Sequence, residues 1–220
     1  KRILNFMNNV VKYVYNKCDK ILISSKGFKK SIMAKGEFED KLVYFPNWSK
    51  DFSYKGENDV TSIQIPKGFK IMMAGNIGNS QDLPAVLNAA LKLKDQKEIK
   101  WLFVGDGSMK EKAEEFVIDN DLSDNVFFYG KFPEKNMAWF YLQADIMLIT
   151  LRSNFPHLKL VVPARLQSYM SAEKPIFGMI DGGAAEIIEE AKCGKSVRAG
   201  DSNSLAELIL KTYMDQSDIL

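Results

Sequence analysis

Short apolar runs alternate with amphipathic segments along most of the chain. The runs predict six strands, and each is apolar without clean alternation, as expected of strands covered on both faces: 70–75, 100–105, 125–130, 145–150, 174–180 and 195–199. Helical periodicity predicts the segments 82–96, 108–120, 134–143, 163–172, 183–192 and 203–215. This alternation predicts an α/β fold, a doubly wound parallel sheet with right-handed crossovers.

The first part of the chain has a different organisation. A helix over 3–17, a strand over 20–25, a helix over 26–35 and a strand over 41–47 are too few elements for a complete domain. We therefore expect residues 1–48 to be the end of a preceding α/β domain, residues 49–68 to be a polar linker, and residues 69–220 to be the main domain. The chain starts inside a helical pattern without methionine, which suggests a piece of a longer protein whose other part holds half of the active site.

Composition narrows the classes of partner. Thirty basic residues nearly match twenty-eight acidic ones, which gives no argument for nucleic acid. Two distant cysteines without a CxxC pair argue against a disulfide framework or a zinc site and favour a reducing compartment. No apolar run approaches the roughly 20 residues that span a bilayer.

Glycines mark the carboxyl ends of several predicted strands. They occur at Gly75 and Gly78, at Gly105, at Gly130 and in the stretch 181–183. Ligands of open parallel sheets bind at that edge, where a following helix offers its positive end to a phosphate. For any one such loop, an ordinary turn is the better explanation. Four of them on one edge favour a nucleotide-type ligand.

The glycine spacing does not match the common nucleotide fingerprints. "GNIGNS" supplies G-x-x-G where a dinucleotide dehydrogenase has G-x-G-x-x-G, and "GDG" at 105–107 lacks the third glycine. Asp106 leaves ribose binding open, and a Walker A loop is absent. A dehydrogenase is therefore disfavoured.

A basic cluster lies between the fourth and fifth predicted strands. It contains Arg152, Lys159 and Arg165 together with His157, the sole histidine. A guanidinium and an ammonium suit a diphosphate, although a solvated basic loop explains the same composition. One histidine provides neither a catalytic triad nor a metal set.

Several segments of the chain, taken in their order along the sequence, resemble a known family. "DKILISSKGFKKSIMAKG", "MAGNIGNSQDLPAVLNAALKLKD", "WLFVGDGSMKEKAEEF", "VFFYGKFPEKNMAWFYLQADIMLITL" and "VVPARLQSYMSAEKPIFGMIDGGAAEIIEEAKCGKSV" are similar to the retaining, nucleotide-sugar-dependent group 1 (family 4) glycosyltransferases of the two-domain GT-B fold. Within this family, the sequence most resembles the bacterial N-acetylfucosamine and other amino-sugar transferases of capsule or O-antigen synthesis. The resemblance implies a Rossmann-like, donor-binding C-terminal domain.

The resemblance also implies site residues. Lys159 and Arg165 would be catalytic, stabilising the leaving diphosphate, and Lys131, Phe132 and Pro133 would meet the base. The remaining donor-binding residues would be Gly75, Asn76, Gly78, Asn79, Gly105, His157, Leu160, Val161, Val162, Ser168, Gly183 and Glu186.

This chain departs from the family pattern at four of its positions. Asn76 and Gln81 stand where many relatives have Arg and Lys, and Leu160 and Ser168 stand where many have two glutamates. Because Ser168 lacks a carboxylate, Glu186 is an alternative partner for the ribose.

The resemblance implies an activity that transfers an amino sugar from a UDP-sugar to a glycan or lipid-linked acceptor. The configuration at the anomeric carbon would be retained. It needs no cofactor and no metal, and the fragment would bind the donor without turnover. We expect a cytoplasmic protein, peripheral on the inner face of the membrane if the lysines of 12–41 meet anionic lipid. The alternatives are a non-catalytic nucleotide-binding or assembly domain and a UDP-sugar epimerase of the same fold, against which the single histidine argues.

Overall fold

A parallel six-stranded sheet forms the centre of the described part of the protein. The computed structural model describes residues 2–49 and 62–215. The sheet contains β3 (Phe69–Ala74), β4 (Ile99–Val104), β5 (Val126–Gly130), β6 (Ile146–Thr150), β7 (Ile176–Met179) and β8 (Gly194–Val197). Its strand order is β5-β4-β3-β6-β7-β8 with every neighbour parallel. The order reverses between β3 and β6, which is the switch point of a doubly wound fold.

Helices cover both faces of this sheet, because successive apolar residues of each strand point to opposite faces. They are α3 (Leu83–Lys92), α4 (Lys110–Asp119), α5 (Met137–Gln143), α6 (Arg165–Ser171), α7 (Gly183–Glu190) and α8 (Ser202–Met214). Ile71 and Met73 pack in one apolar cluster with α3, α4 and α8, whereas Met72 and Ala74 pack in a second with α5, α6 and α7. The continuous apolar strands of the sequence follow from this two-sided burial.

A smaller unit precedes the sheet. It consists of α1 (Arg2–Lys17), β1 (Ile21–Ile23), α2 (Phe28–Met33) and β2 (Leu42–Tyr44), with β1 and β2 paired in parallel. It has its own apolar cluster, in which Ile21, Ile23, Ile32 and Phe38 are buried. Within residues 2–49 and 62–215, no helix is long and apolar enough to cross a membrane.

The structure confirms the predicted α/β class and its parallel sheet. The helix predicted over 82–96 ends at Lys92, because the chain turns from Leu93 onward before entering β4. The segment predicted as the helix 134–143 begins with a 3-10 turn over Glu134–Asn136. Most of the predicted linker 49–68 lies outside the described residues, and the domain boundaries stay predictions.

Candidate functional site

The two strands at the switch point separate toward their carboxyl ends. Ile71 pairs with Ile146 and Met72 with Met147, but the pairing does not extend to Ala74. A tyrosine from α6 occupies the place of the missing partner. The hydroxyl of Tyr169 accepts a hydrogen bond from the Ala74 N–H at 2.8 Å and donates one to the Ala74 carbonyl at 2.9 Å. The side chain thus satisfies both backbone groups at the point where the two strands separate.

Tyr169 is completely buried, and its burial raises the pKa of the hydroxyl, an effect that Arg165 partly opposes. The hydroxyl therefore stays protonated and can donate to the Ala74 carbonyl at any physiological pH.

Arg165 lies one helical turn before Tyr169 and reaches the same loop. Its Nη2 donates to the Asn76 carbonyl at 3.1 Å, and a Cβ placed on Gly75 would lie 3.5 Å from the guanidinium carbon. The other terminal nitrogen, Nη1, is buried and has no hydrogen-bond acceptor among the described residues. Helix α6 therefore bonds to Ala74 at the end of β3 and to Asn76 in the loop that follows, and it places a cation beside Gly75.

The glycine loops after β3 and β4 pack directly on each other. The Ile77 N–H donates to the Asp106 carbonyl at 2.8 Å, and the Met109 N–H donates to the Ile77 carbonyl at 3.1 Å. A Cβ on Gly105 would overlap the Gly75 carbonyl oxygen. Close backbone approach is therefore one physical reason for glycine at 105.

Three of the four predicted donor-binding residues of the first loop lie at the surface. Gly75, Asn76 and Asn79 are exposed, whereas Gly78 is buried beneath the Asn76 amide. Gln81 is buried, its backbone carbonyl accepts from the Thr150 hydroxyl, and its side chain accepts from the Ser80 hydroxyl at 2.9 Å. Gln81 thus joins the loop to the end of β6.

Lys159 has a carboxylate partner. It lies in a 3-10 helix over Pro156–Leu160, and its ammonium is 3.1 Å from the Asp181 carboxylate at the end of β7. Partial burial would raise the pKa of Asp181, but the Ala199 N–H and the Lys159 ammonium outweigh it and lower the pKa. Any anion that binds Lys159 must share it with Asp181.

We expect Asp181→Asn to lower the free energy of unfolding at pH 7 by less than about 1 kcal/mol, because Lys159 is half exposed. A lowered folded-state pKa stabilises the protein above the unfolded value of about 4, and that contribution disappears as pH falls through the folded value. The difference from the wild type should therefore shrink between pH 7 and pH 3 in urea unfolding. Asp119→Asn, an exposed position on α4, controls for loss of a charge; an unchanged difference at pH 3 would contradict the assignment.

The other basic residues of the predicted cluster are separated from one another. Arg152 lies 3.6 Å from Asp82 at the start of α3, and burial raises the pKa of Asp82 although Arg152 opposes it. His157 is exposed, with its ring 5.8 Å from that of Phe155. The cluster thus supplies cations held at three places, by Asn76, by Asp82 and by Asp181.

The remaining predicted residues surround the same edge of the sheet. Lys131 and Pro133 are exposed after β5, and the Phe132 ring packs 4.7 Å from that of Phe140. Around α6 and α7, Glu186 is exposed, Val162 is buried, and four residues are half-buried: Leu160, Val161, Ser168 and Gly183. Their roles toward a donor stay predictions.

Sequence reasoning missed the residues that position the site. Tyr169 was not singled out, although its spacing of four from Arg165 places both on one face of a helix. The pairing of Asp181 with Lys159 had no local signal, because the two residues come from different loops.

The lysines of the first unit are largely engaged within the protein. Lys41 donates to the carbonyls of Asn16 and Cys18 at 2.8 Å, where α1 ends. Lys29 pairs with Glu39, Lys35 donates to Asn8 at 2.7 Å, and Lys26 lies 3.9 Å from Glu190.

Comparison with known proteins identifies the family. The family described as "Glycosyl transferases group 1" matches residues 57–218. The chain is 30% identical over 117 residues to the putative colanic acid biosynthesis glycosyl transferase WcaI of Escherichia coli K12, covering 50% of this chain and 28% of that protein. It is 23% identical to the N-acetyl-alpha-D-glucosaminyl L-malate synthase of Bacillus anthracis, covering 96% of this chain and 54% of that protein. The chain thus spans about half, or less, of the length of these curated relatives.

Solved structures share the fold. Anabaena Alr3699/HepE in complex with UDP superposes with a TM-score of 0.79 at 16% identity, covering 96% of this chain and 59% of that one. TarM of S. aureus, in a complex that includes UDP, superposes with a TM-score of 0.67 at 19% identity, covering 92% of this chain and 39% of that one. The family match covers most of the chain, and the fold is that of GT-B glycosyltransferases. The chain therefore belongs to the group 1 glycosyl transferases.

Proposed function

We propose that this chain is the donor-binding part of a retaining glycosyltransferase. The full enzyme would transfer an amino sugar from a UDP-sugar to a glycan or lipid-linked acceptor in bacterial surface polysaccharide synthesis. The observation that carries the proposal is Arg165, a half-buried cation that the Asn76 carbonyl holds beside the glycine loop at the switch point. Relatives named for colanic acid and amylovoran biosynthesis support the pathway class.

The diphosphate fits the glycine loop. The Arg165 guanidinium borders this loop, and a guanidinium binds phosphate oxygens in a fork. Gly75 and Asn76 are exposed beside it, so their backbone is accessible to a ligand. Both solved structures described above are complexes that include UDP, which supports UDP as the nucleotide.

Electrostatic stabilisation is the chemistry these residues can supply. Breaking the bond between sugar and diphosphate leaves negative charge on the phosphate oxygens, and a fixed cation at that position lowers the barrier. Arg165 is held in place by Asn76, so little reorganisation accompanies the charge development. Lys159 would add a second cation by turning from Asp181 toward the diphosphate.

We further propose that the transfer proceeds without a metal, since fixed cations carry the charge. Transfer by the full enzyme should therefore be unchanged in EDTA, as measured by UDP release. Loss of activity in EDTA with recovery on adding Mg²⁺ or Mn²⁺ would overturn this part of the proposal.

Calorimetric titration of the chain with UDP tests the nucleotide assignment, with GDP and NAD as controls. Binding of UDP without NAD is the expected result. NAD binding would favour a dehydrogenase-type site, whereas no binding of any of the three would favour a lapsed assembly domain. Asn76 and Gln81 favour this second candidate function, a non-catalytic assembly domain. Their side chains are neutral, whereas many members of the resembled family have cations at these positions.

Membrane contact through the first unit is a separate proposal. Because Lys26, Lys29, Lys35 and Lys41 already have partners, any attraction to anionic lipid falls mainly to the exposed Lys12, Lys17 and Lys30. Co-sedimentation with phosphatidylglycerol vesicles but not with phosphatidylcholine vesicles would support the contact, and equal sedimentation would overturn it.

A further inference from the structure

A side-chain hydroxyl stands where the backbone of β6 would otherwise pair with the end of β3. In a parallel strand the N–H and the carbonyl of one residue point to the same side, and alternate residues share that side. The Lys70 carbonyl accepts from the Asp145 N–H at 2.9 Å, so the backbone groups of Ala74, four residues on, also face β6. Both of them are bonded to the Tyr169 hydroxyl, which therefore ends the pairing of β3 with β6.

The ring that carries this hydroxyl is fixed by its surroundings. Tyr169 is completely buried in the apolar cluster beneath α5, α6 and α7, and its ring lies 5.7 Å from that of Tyr141 at an interplanar angle of 81°. Side chains packed at this density keep one rotamer, so the hydroxyl has one position relative to β3. The two hydrogen bonds then fix Ala74, which is the last residue of β3 before the glycine loop.

The cation of the proposed donor site shares this anchor. Arg165 lies one turn before Tyr169 on the same face of α6, and its Nη2 donates to the Asn76 carbonyl at 3.1 Å. Burial raises the pKa of the Tyr169 hydroxyl and the charge of Arg165 opposes that rise, so the two groups are close in space. One helix face therefore holds the loop at Ala74 and at Asn76, on either side of Gly75.

We propose that Tyr169 is a positioning residue of the diphosphate site, whose hydroxyl sets where β3 leaves the sheet and thereby how the glycine loop and Arg165 meet the phosphates. This inference rests on the proposed function, because it concerns the same donor site. Since Tyr169 is completely buried, it acts through the backbone of Ala74 and through Arg165. A role in packing alone would need the ring and not the hydroxyl, because phenylalanine has nearly the same shape.

Tyr169→Phe tests the hydroxyl directly. The N–H and the carbonyl of Ala74 would lose their partner, so the end of β3 should shift and UDP should bind about tenfold more weakly. Uridine has no phosphates, and its affinity should stay within about twofold of the wild type. Calorimetric titration with both ligands measures the ratio of the two affinities, which a packing role would leave unchanged.

A double-mutant cycle with Arg165 separates positioning from a general loss of order. If the hydroxyl acts on the arrangement of Arg165 and the loop, Tyr169→Phe should weaken UDP binding by no more than about threefold in the Arg165→Met background. Tyr213→Phe is the control for loss of a tyrosine hydroxyl, because its ring packs 5.8 Å from that of Phe69 at the opposite end of β3. It should change UDP affinity by less than about twofold.

A second variant keeps the inference testable if Tyr169→Phe does not fold, as judged by near-ultraviolet circular dichroism. Replacement of Tyr169 by 4-aminophenylalanine keeps a donor for the Ala74 carbonyl and should bind UDP within about threefold of the wild type. A loss of tenfold or more in this variant would contradict the inference.

The outcomes distinguish this inference from the proposed function. If the wild type binds UDP and folded Tyr169→Phe binds it equally well, or loses uridine affinity to the same extent, the inference is overturned and the donor assignment stands. A full tenfold loss in both the wild-type and the Arg165→Met backgrounds also overturns it. Failure of the wild type to bind UDP overturns the proposed function and the positioning role with it.

Discussion

Replacing Arg165 by methionine should weaken UDP binding by about 10- to 100-fold and leave uridine binding unchanged. A hydrogen bond to a charged group contributes about 1.5–3 kcal/mol, and each 1.4 kcal/mol is a factor of ten in affinity. Methionine retains part of the apolar stem but removes the guanidinium, which lies beside Gly75 and donates to the Asn76 carbonyl. Calorimetric titration of the wild type and of Arg165→Met with UDP and with uridine measures the difference in affinity.

Arg2→Met is the matched control, because Arg2 is exposed on α1 and its loss changes the net charge equally. It should change UDP affinity by less than about twofold, since exposed charges at a distance are screened. Arg165→Lys should give an intermediate loss, because lysine is a point charge without the fork. If uridine binding falls as much as UDP binding, Arg165 supports the loop and does not contact the diphosphate.

The fold could be predicted because its signals are local. Continuous apolar runs such as 100–105 and 145–150 reflect burial on both faces, and their alternation with amphipathic segments determines a parallel sheet. The end of α3 at Lys92 was mispredicted because Leu93 continues the apolar period while its backbone already turns. Periodicity reports which side chains are buried, and not where helical hydrogen bonding stops.

The site could be predicted only in part, because its contacts join distant positions. Glycines and basic residues indicated the correct edge of the sheet, but Tyr169 bonds to Ala74 across 95 positions and Arg165 to Asn76 across 89. No spacing rule reports such a pair. The same limit applies to Lys159, for which composition suggested a free cation and the structure supplies Asp181.

Gly105→Ala should be the most destabilising of these substitutions, lowering the free energy of unfolding by about 3–5 kcal/mol. The new Cβ would overlap the Gly75 carbonyl oxygen and lie 2.8 Å from its carbon, and both are backbone atoms that a rotamer change cannot move. Gly105 also has a φ of +149°, which side chains rarely adopt. Thermal unfolding should show a melting temperature lower by roughly 10 °C or more.

Gly130→Ala separates steric overlap from backbone strain. Gly130 has a φ of +73°, but a Cβ there meets nothing within 4 Å, so only the left-handed conformation is penalised, by about 1–2 kcal/mol. A loss in Gly105→Ala no larger than in Gly130→Ala would contradict close packing of the two glycine loops. If the loss is larger, the glycines after β3 and β4 are required by the contact between the loops, and any ligand binds a surface that this contact has already fixed.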